Sequence, residues 1–258
     1  MGIISRGYGR QLHSGNQNQA LEIMPNTSAT IAGDEPLLLK KICQVPVFVS
    51  TKRVAAAQAL LAQYPETQII VSDDGLQHTA LPRMLEVIVF DDRGVGNGRL
   101  IPAGLLREKW PRTLTKQSSN HTLVLHTGQS PAFEGFCAQR QLQDFATNGW
   151  GQKKSLSEFF NGHNNALAAI ASPHAFFEML EKKGLTLQDK LPLADHDDFI
   201  NWHLPLTWQS TNVFCTEKDA VKLWPLFPEI WAIGLDFKPE KTFFDALDQA
   251  FNLNQTVN

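Results

Sequence analysis

An α/β fold built on a parallel sheet with helices on both faces is what the order of apolar segments predicts. Three observations carry it. Short β-rich runs recur along the 258 residues, and segments of helical length stand between several of them. Polar clusters also begin where the runs end, and parallel α/β sheets bind ligands at the carboxyl ends of their strands.

In order, the runs are IIS near residue 4, VPVFV at 45–49, IIVS at 69–72, EVIVF at 86–90 and TLVLH at 122–126. TKRVAAAQALLAQY follows the second run and predicts a helix with Thr51 as cap, ending before Pro65. The stretch from about 127 to 155 is polar and dotted with glycine, so it reads as a connection. A boundary there gives an N-terminal core over residues 1–150 and a smaller C-terminal α/β lobe over residues 151–258. In the second part ALAAIA predicts a strand. SPHAFFEMLEKKG predicts a helix with Ser172 as cap, Pro173 in the first turn and Gly184 as its stop. NVFCT is the next strand, EKDAVKLW the next helix and WAIGL the last strand, followed by an amphipathic tail.

Bulk properties exclude several classes. A hydrophobic content of 43% supports a real core, so disorder is not the default. With 23 basic against 26 acidic residues no sequence-wide cationic field favours a nucleic-acid partner. Cys43, Cys137 and Cys215 are far apart and form no CxxC pair, which argues against a disulfide framework or a zinc site. No apolar stretch has the length of a spanning helix.

Five clusters are candidates for chemistry. Asp73 and Asp74 end an apolar strand before Gly75, Gln77 and His78. Carboxylates in that position suit magnesium, and a solvated Asp-Asp-Gly turn is the plainer alternative. FDDRGVGNGRLIPAGLLRE sets Gly94, Gly96 and Gly98 beside Arg93, Arg99 and Arg107, a combination suited to anions or to a surface loop. Asp34 and Glu35 precede Pro36 as helix-start acids do. His196 stands among acids in ADHDDF, as a tuned acid-base group or an exposed loop residue. Thr216, Glu217, Lys218 and Asp219 lie at a strand-to-helix junction, where a cap and a nucleotide contact are both open.

SRGYGR (5–10), GDEPLLL (33–39), DDGLQH (73–78), GNGRLIPAGLLRE (96–108), DHDDF (195–199) and TEKDAVK (216–222) stand in the order and approximate spacing of tetraacyldisaccharide 4'-kinases, and the chain resembles that family. The resemblance implies a P-loop-type α/β kinase that transfers the γ-phosphate of ATP to the 4'-hydroxyl of a tetraacylated glucosamine disaccharide 1-phosphate in lipid A biosynthesis. It assigns Asp34 and His196 to activation of the sugar hydroxyl, and Asp73 and Asp74 to magnesium. Arg6, Tyr8, Glu35, Gln77, His78, Asn97, Gly98 and Arg99 match motif positions near the sugar and its phosphate, and Thr216 and Lys218 match positions assigned to the nucleotide. The lipid acceptor implies a setting on the cytoplasmic face of the inner membrane.

The family also carries, ahead of the SRGYG motif, a strand and a glycine-rich loop ending Gly-Lys-Ser/Thr. None of the 17 glycines here is followed by that ending. The expectation is therefore a kinase core lacking its first strand and P-loop, with turnover impaired. Two other readings are a module that binds acylated sugar without catalysis, and a metal-dependent phosphohydrolase using Asp73 and Asp74.

Overall fold

The computed structural model describes residues 1–10, 19–112, 121–128 and 130–255. Contacts divide the chain into two compact units, each assembled from two stretches of sequence, rather than at a single cut near residue 150. The first unit is Met1–Gly75 with Leu142–Leu235, and the second is Leu76–Gln141 with Asp236–Asn258.

The first unit opens with β1 (Gly2–Ser5), β2 (Leu21–Glu22), helices α1 (Ala29–Ala32) and α2 (Asp34–Cys43), β3 (Val47–Val49), α3 (Arg53–Gln63) and β4 (Ile70–Ser72). These strands form a sheet in the order β2-β3-β1-β4, with β1 parallel to both neighbours and β2 antiparallel to β3. Helix α3 starts later than expected. Its N-cap position is Lys52 and no side chain caps it, so Thr51 lies just outside.

The second unit contains β5 (Leu85–Phe90), β6 (His121–His126) and β7 (Phe136–Leu142). A connection is expected over 127–155. Strand β7 and the next two strands, β8 (Phe145–Thr147) and β9 (Lys153–Ser155), stand there instead. Their polar composition hides them, because three successive residues of β7 and all of β9 are exposed.

From β8 the chain is back in the first unit and continues through β10 (Asn164–Ala168), α4 (Pro173–Lys182), β11 (Leu187–Pro192), β12 (Asn212–Thr216), α5 (Glu217–Leu223) and β13 (Trp231–Ile233). The six-stranded sheet has the order β11-β10-β12-β13-β8-β9. It is parallel from β11 to β13 and antiparallel beyond. Side chains alternate across a strand, so β10 feeds two cores. Ala166 and Ala168 join Phe176, Phe177, Leu180 and Phe214 on one face, while Leu167 and Ala169 join Phe199, Trp208, Cys215 and Leu223 on the other. Helix α4 has Pro173 in its first turn as expected, though Ser172 makes no side-chain cap bond.

WAIGL is not the last strand. Gly234 interrupts it, and β14 (Leu235–Pro239) belongs to a third sheet of order β14-β7-β6-β5, followed by α6 (Lys241–Gln255). In that sheet β5, β6 and β7 run parallel, and Phe243 of α6 packs on Leu125 and Ala138. Among the described residues no helix is long and apolar enough to cross a membrane.

Phe177 is 1% exposed at the centre of one core. Phe177→Ala is expected to destabilise the first unit by about 3–5 kcal/mol, through lost burial and the cavity left behind. A urea midpoint within error of wild type would contradict that packing.

Candidate functional site

Strand and helix ends of the first unit converge on one carboxylate. Asp34 is the first residue of α2, and Gly33 before it has a φ of 84°. A Cβ on Gly33 would stand 2.8 Å from the Tyr8 carbonyl oxygen, so glycine is what lets the SRGYG loop lie against the start of α2. The Tyr8 ring, itself 63% exposed, stands 5.3 Å from the imidazole of His196.

His196 and Asp34 are 162 positions apart in sequence, yet Nδ1 of the imidazole is 3.3 Å from Oδ2 of the carboxylate. Nε2 lies 3.3 Å from the Lys218 ammonium. An ammonium donates and cannot accept, so Nε2 is the natural acceptor, and the Nδ1 proton then faces Asp34. Lys218 also pairs with Glu35 at 3.4 Å and with Asp195 at 3.6 Å. Lys222, one turn further along α5, donates to the same Asp34 Oδ2 at 2.9 Å and to the Asp197 carbonyl.

The loop that carries His196 is held in an unusual shape. His196 has a φ of 63° and Phe199 a φ of 57°, left-handed values that cost a side-chain-bearing residue roughly 1–2 kcal/mol each. The His196 N–H donates to the Ala169 carbonyl, and the Phe199 N–H donates to the Asp197 carboxylate. Ala169 is fixed in turn, because its N–H donates to Asp219 Oδ2. Asp219 is fully buried at the start of α5, where the Thr216 hydroxyl donates to it and accepts from its N–H. Burial pushes the Asp219 carboxyl above the usual carboxylate range, against the pull of the Thr216 hydroxyl and the Ala169 N–H.

Asp34, His196 and Lys222 line a cavity of about 440 Å³, together with Asn26 and Ser28 of the loop before α1, Thr30 of α1, Lys41 of α2 and Asp198. Carboxylate, imidazole, hydroxyl and ammonium groups lining one cavity can bind a hydroxylated ligand and accept a proton from it.

A second cluster ends β4. The Ser5 hydroxyl donates to Asp73 Oδ2 at 2.9 Å, and Arg53 donates to the backbone carbonyls of Asp73 and Ser50 at 3.1 Å each. Arg53 is 1% exposed. Burial lowers the pKa of its guanidinium, and the charges of Asp73 and Asp74 oppose that shift. Asp74 has a φ of 44°, and a Cβ on Gly75 would stand 2.4 Å from Ser72 Oγ, so the DDG turn needs its glycine. Among the described residues no group of three or more His, Cys, Asp or Glu forms a metal site. The oxygen donors of Asp73 and Asp74 still fit magnesium, a hard cation that keeps several waters and takes one or two carboxylates.

The other expected residues are distributed as follows. Arg6 is exposed beyond β1. Thr216 is engaged as the cap of α5. Gln77, His78, Asn97, Gly98 and Arg99 belong to the second unit. There Gln77 donates to Glu108 and accepts from Arg107. Asn97 donates to the Ala103 carbonyl and accepts from the Arg99 N–H, and Gly98 has a φ of 70°. Sequence reasoning overlooked Lys222, Arg53 and the buried role of Asp219. The spacing of Lys218 and Lys222, four apart on one predicted helix, was the available signal for the first. Nothing in TKRVAAA marks Arg53 as buried.

A family model described as tetraacyldisaccharide-1-P 4'-kinase matches residues 1–252. Among similar proteins, the tetraacyldisaccharide 4'-kinase of Polaromonas naphthalenivorans (strain CJ2) is 50% identical over 253 residues, 96% of this chain and 71% of that protein. The protein of the same name from Delftia acidovorans (strain DSM 14801 / SPH-1) is 41% identical over 251 residues, 96% of this chain and 70% of its own length. In fold, the chain is similar to the apo form of LpxK from Aquifex aeolicus crystallised with ATP. The TM-score is 0.78 at 23% identity, covering 97% of this chain and 78% of the other.

Asp219 gives a pH test with a definite sign. Its folded-state pKa is raised above the ordinary 3.8, so its contribution to stability is present below that value and is lost as pH rises through the raised one. Asp219→Asn, which cannot ionise, should therefore gain stability relative to wild type as pH rises through that window. Urea midpoints from acid to neutral pH measure the difference, and parallel curves would refute it.

Proposed function

The chain belongs to the tetraacyldisaccharide-1-P 4'-kinase family, and from that premise we propose that it phosphorylates the 4'-hydroxyl of a tetraacylated glucosamine disaccharide 1-phosphate with ATP. The observation that carries this reading is the Asp34–His196 pair at the wall of a cavity rich in hydroxyl and charged groups.

In the reaction the acceptor hydroxyl oxygen forms a bond to the γ-phosphorus, and the bond from that phosphorus to the oxygen of the departing ADP breaks. The hydroxyl proton must leave as the new bond forms, and the Asp34–His196 pair takes it. Asp34 is largely shielded from water, so its basicity is directed at whatever occupies the cavity. Lys218 is the family-matched nucleotide residue with an ammonium to offer phosphate oxygens, the Thr216 hydroxyl being engaged with Asp219. Asp73 and Asp74 would hold magnesium, which when bound offsets negative charge on the phosphates. Ser5 and Arg53 keep Asp73 in place for it. We assign Arg6, Tyr8 and Glu35 to the rim of the acceptor site and, from their match to the family's motif positions, Gln77, His78, Asn97, Gly98 and Arg99 to recognition of the sugar and its phosphate. The acyl chains of the acceptor put the reaction at a lipid surface, which we take to be the cytoplasmic face of the inner membrane.

Incubation with ATP, magnesium and the acylated disaccharide 1-phosphate should yield a product with one added phosphate, read by mass spectrometry. Acceptor binding without product would favour the non-catalytic reading, and phosphate release without nucleotide the hydrolase. Asp34→Ala and His196→Ala are each expected to lower kcat by about 10²- to 10⁴-fold with little change in acceptor affinity. Wild-type turnover in both would remove them as the base. Asp73→Ala should move the magnesium dependence of turnover to higher concentration, and an unaltered titration would argue against its role.

A further inference from the structure

We infer that Lys222 is a positioning residue for the Asp34–His196 pair, holding the carboxylate and the histidine loop with one buried ammonium. The inference rests on the kinase reading above for its consequence and on geometry alone for its existence.

The Lys222 side chain is 6% exposed and reaches across from α5. Its ammonium donates at 2.9 Å to Asp34 Oδ2 on α2 and also to the carbonyl of Asp197, the residue after His196. It stands 5.1 Å from the ring centre of Phe199, whose left-handed backbone closes the same loop. One cation thus joins the start of α2 to the His196 loop, and it supplies interactions that help to offset the strain at His196 and Phe199.

The choice of oxygen gives the contact its chemical meaning. His196 and Lys222 both address Oδ2, and among the described residues no other hydrogen bond reaches the Asp34 carboxylate. Oδ1 is therefore the oxygen left for an acceptor hydroxyl, with the carboxylate unable to swing while Oδ2 is held twice. Other charged groups around the pair are Glu35 on α2, Lys218 on α5 and Asp195 on the histidine loop, with Lys41 and Asp198 on the cavity wall. Lys218 differs from Lys222. Its three contacts are all 3.3 Å or longer and none is to Asp34, so the two lysines are not interchangeable.

Without Lys222 the carboxylate loses its nearest cation and the loop loses an anchor. The carboxylate is then held at one point instead of two, and its free oxygen is no longer fixed toward an acceptor hydroxyl. The test compares full-length wild type, Lys222→Met, Lys222→Arg and Asp34→Asn in the phosphorylation assay and by amide hydrogen exchange. Lys222→Met should lower kcat by about 100-fold while KM for ATP and acceptor stay within about threefold. It should speed exchange over residues 196–200 by about tenfold. Lys222→Arg, which keeps a cation with several donors, should recover kcat to within about tenfold of wild type and return loop exchange toward the wild-type rate.

A Lys222→Met protein with unchanged loop exchange overturns the proposal, whatever its kcat. A loss confined to KM also overturns it, since a positioning role acts on turnover. If wild type itself makes no product, the kinase reading fails. Loop exchange then decides the positioning claim, faster exchange in Lys222→Met supporting it and unchanged exchange ending it.

Discussion

Two donors meet at one oxygen, Oδ2 of Asp34, and the site of the first unit is organised around that meeting. A carboxylate nearly removed from water needs partners, and here they come from a loop and a helix far along the chain. To bring them there, the SRGYG loop must lie against Gly33, α5 must pack against α2, and the chain after β11 must turn back through left-handed residues. Packing provides for this, because Val221 of α5 is buried in the same cluster as Ile3, Leu37 and Val49. The apolar and polar neighbours on α5 thus serve successive purposes, one sealing the core and the next reaching the carboxylate.

Much of the fold was legible where burial imposes a strong pattern. Strands β1, β3, β5, β6, β10 and β12 are apolar runs because both faces or one face are covered, and α4 shows its proline, its apolar stripe and its stop. Strands β7, β8 and β9 were not legible. Strand β7 exposes a run of polar residues and β9, at a sheet edge, is exposed throughout, while β8 is only three residues long, so hydrophobic content does not single them out. WAIGL misled for a different reason. A glycine in the middle of an apolar run let the chain leave one sheet and enter another, and composition is blind to that exchange.

The candidate site was legible in its residue types and not in its wiring. Asp34 and His196 could be picked out through motifs, since an acid at a helix start and a histidine among acids are unusual enough to notice. Lys222 could not be assigned a partner, because an amphipathic helix always has lysines and burial of one depends on tertiary packing. Arg53 repeats the lesson at the other cluster. It reads as an ordinary first-turn residue, yet its buried guanidinium ties the end of β3 to the end of β4 through two carbonyls. In each case a buried cation holds a segment that carries an acid, and the acid alone is visible in the sequence.

The first unit is written in two separated pieces of chain, Met1–Gly75 and Leu142–Leu235. A ribosome delivers these pieces in order, so the four-stranded sheet emerges long before the helix that completes its core. Asp34 leaves the exit tunnel well ahead of the lysine and histidine that will neutralise and aim it, Lys222 following by 188 positions with Val221 beside it on the same helix. Until then the early sheet exposes the apolar face that α5 will cover, and its contacts must wait for the closure of a long loop. Completion of the first unit's core therefore waits on its second stretch of chain, and until that stretch arrives the apolar face that α5 covers is a surface prone to association.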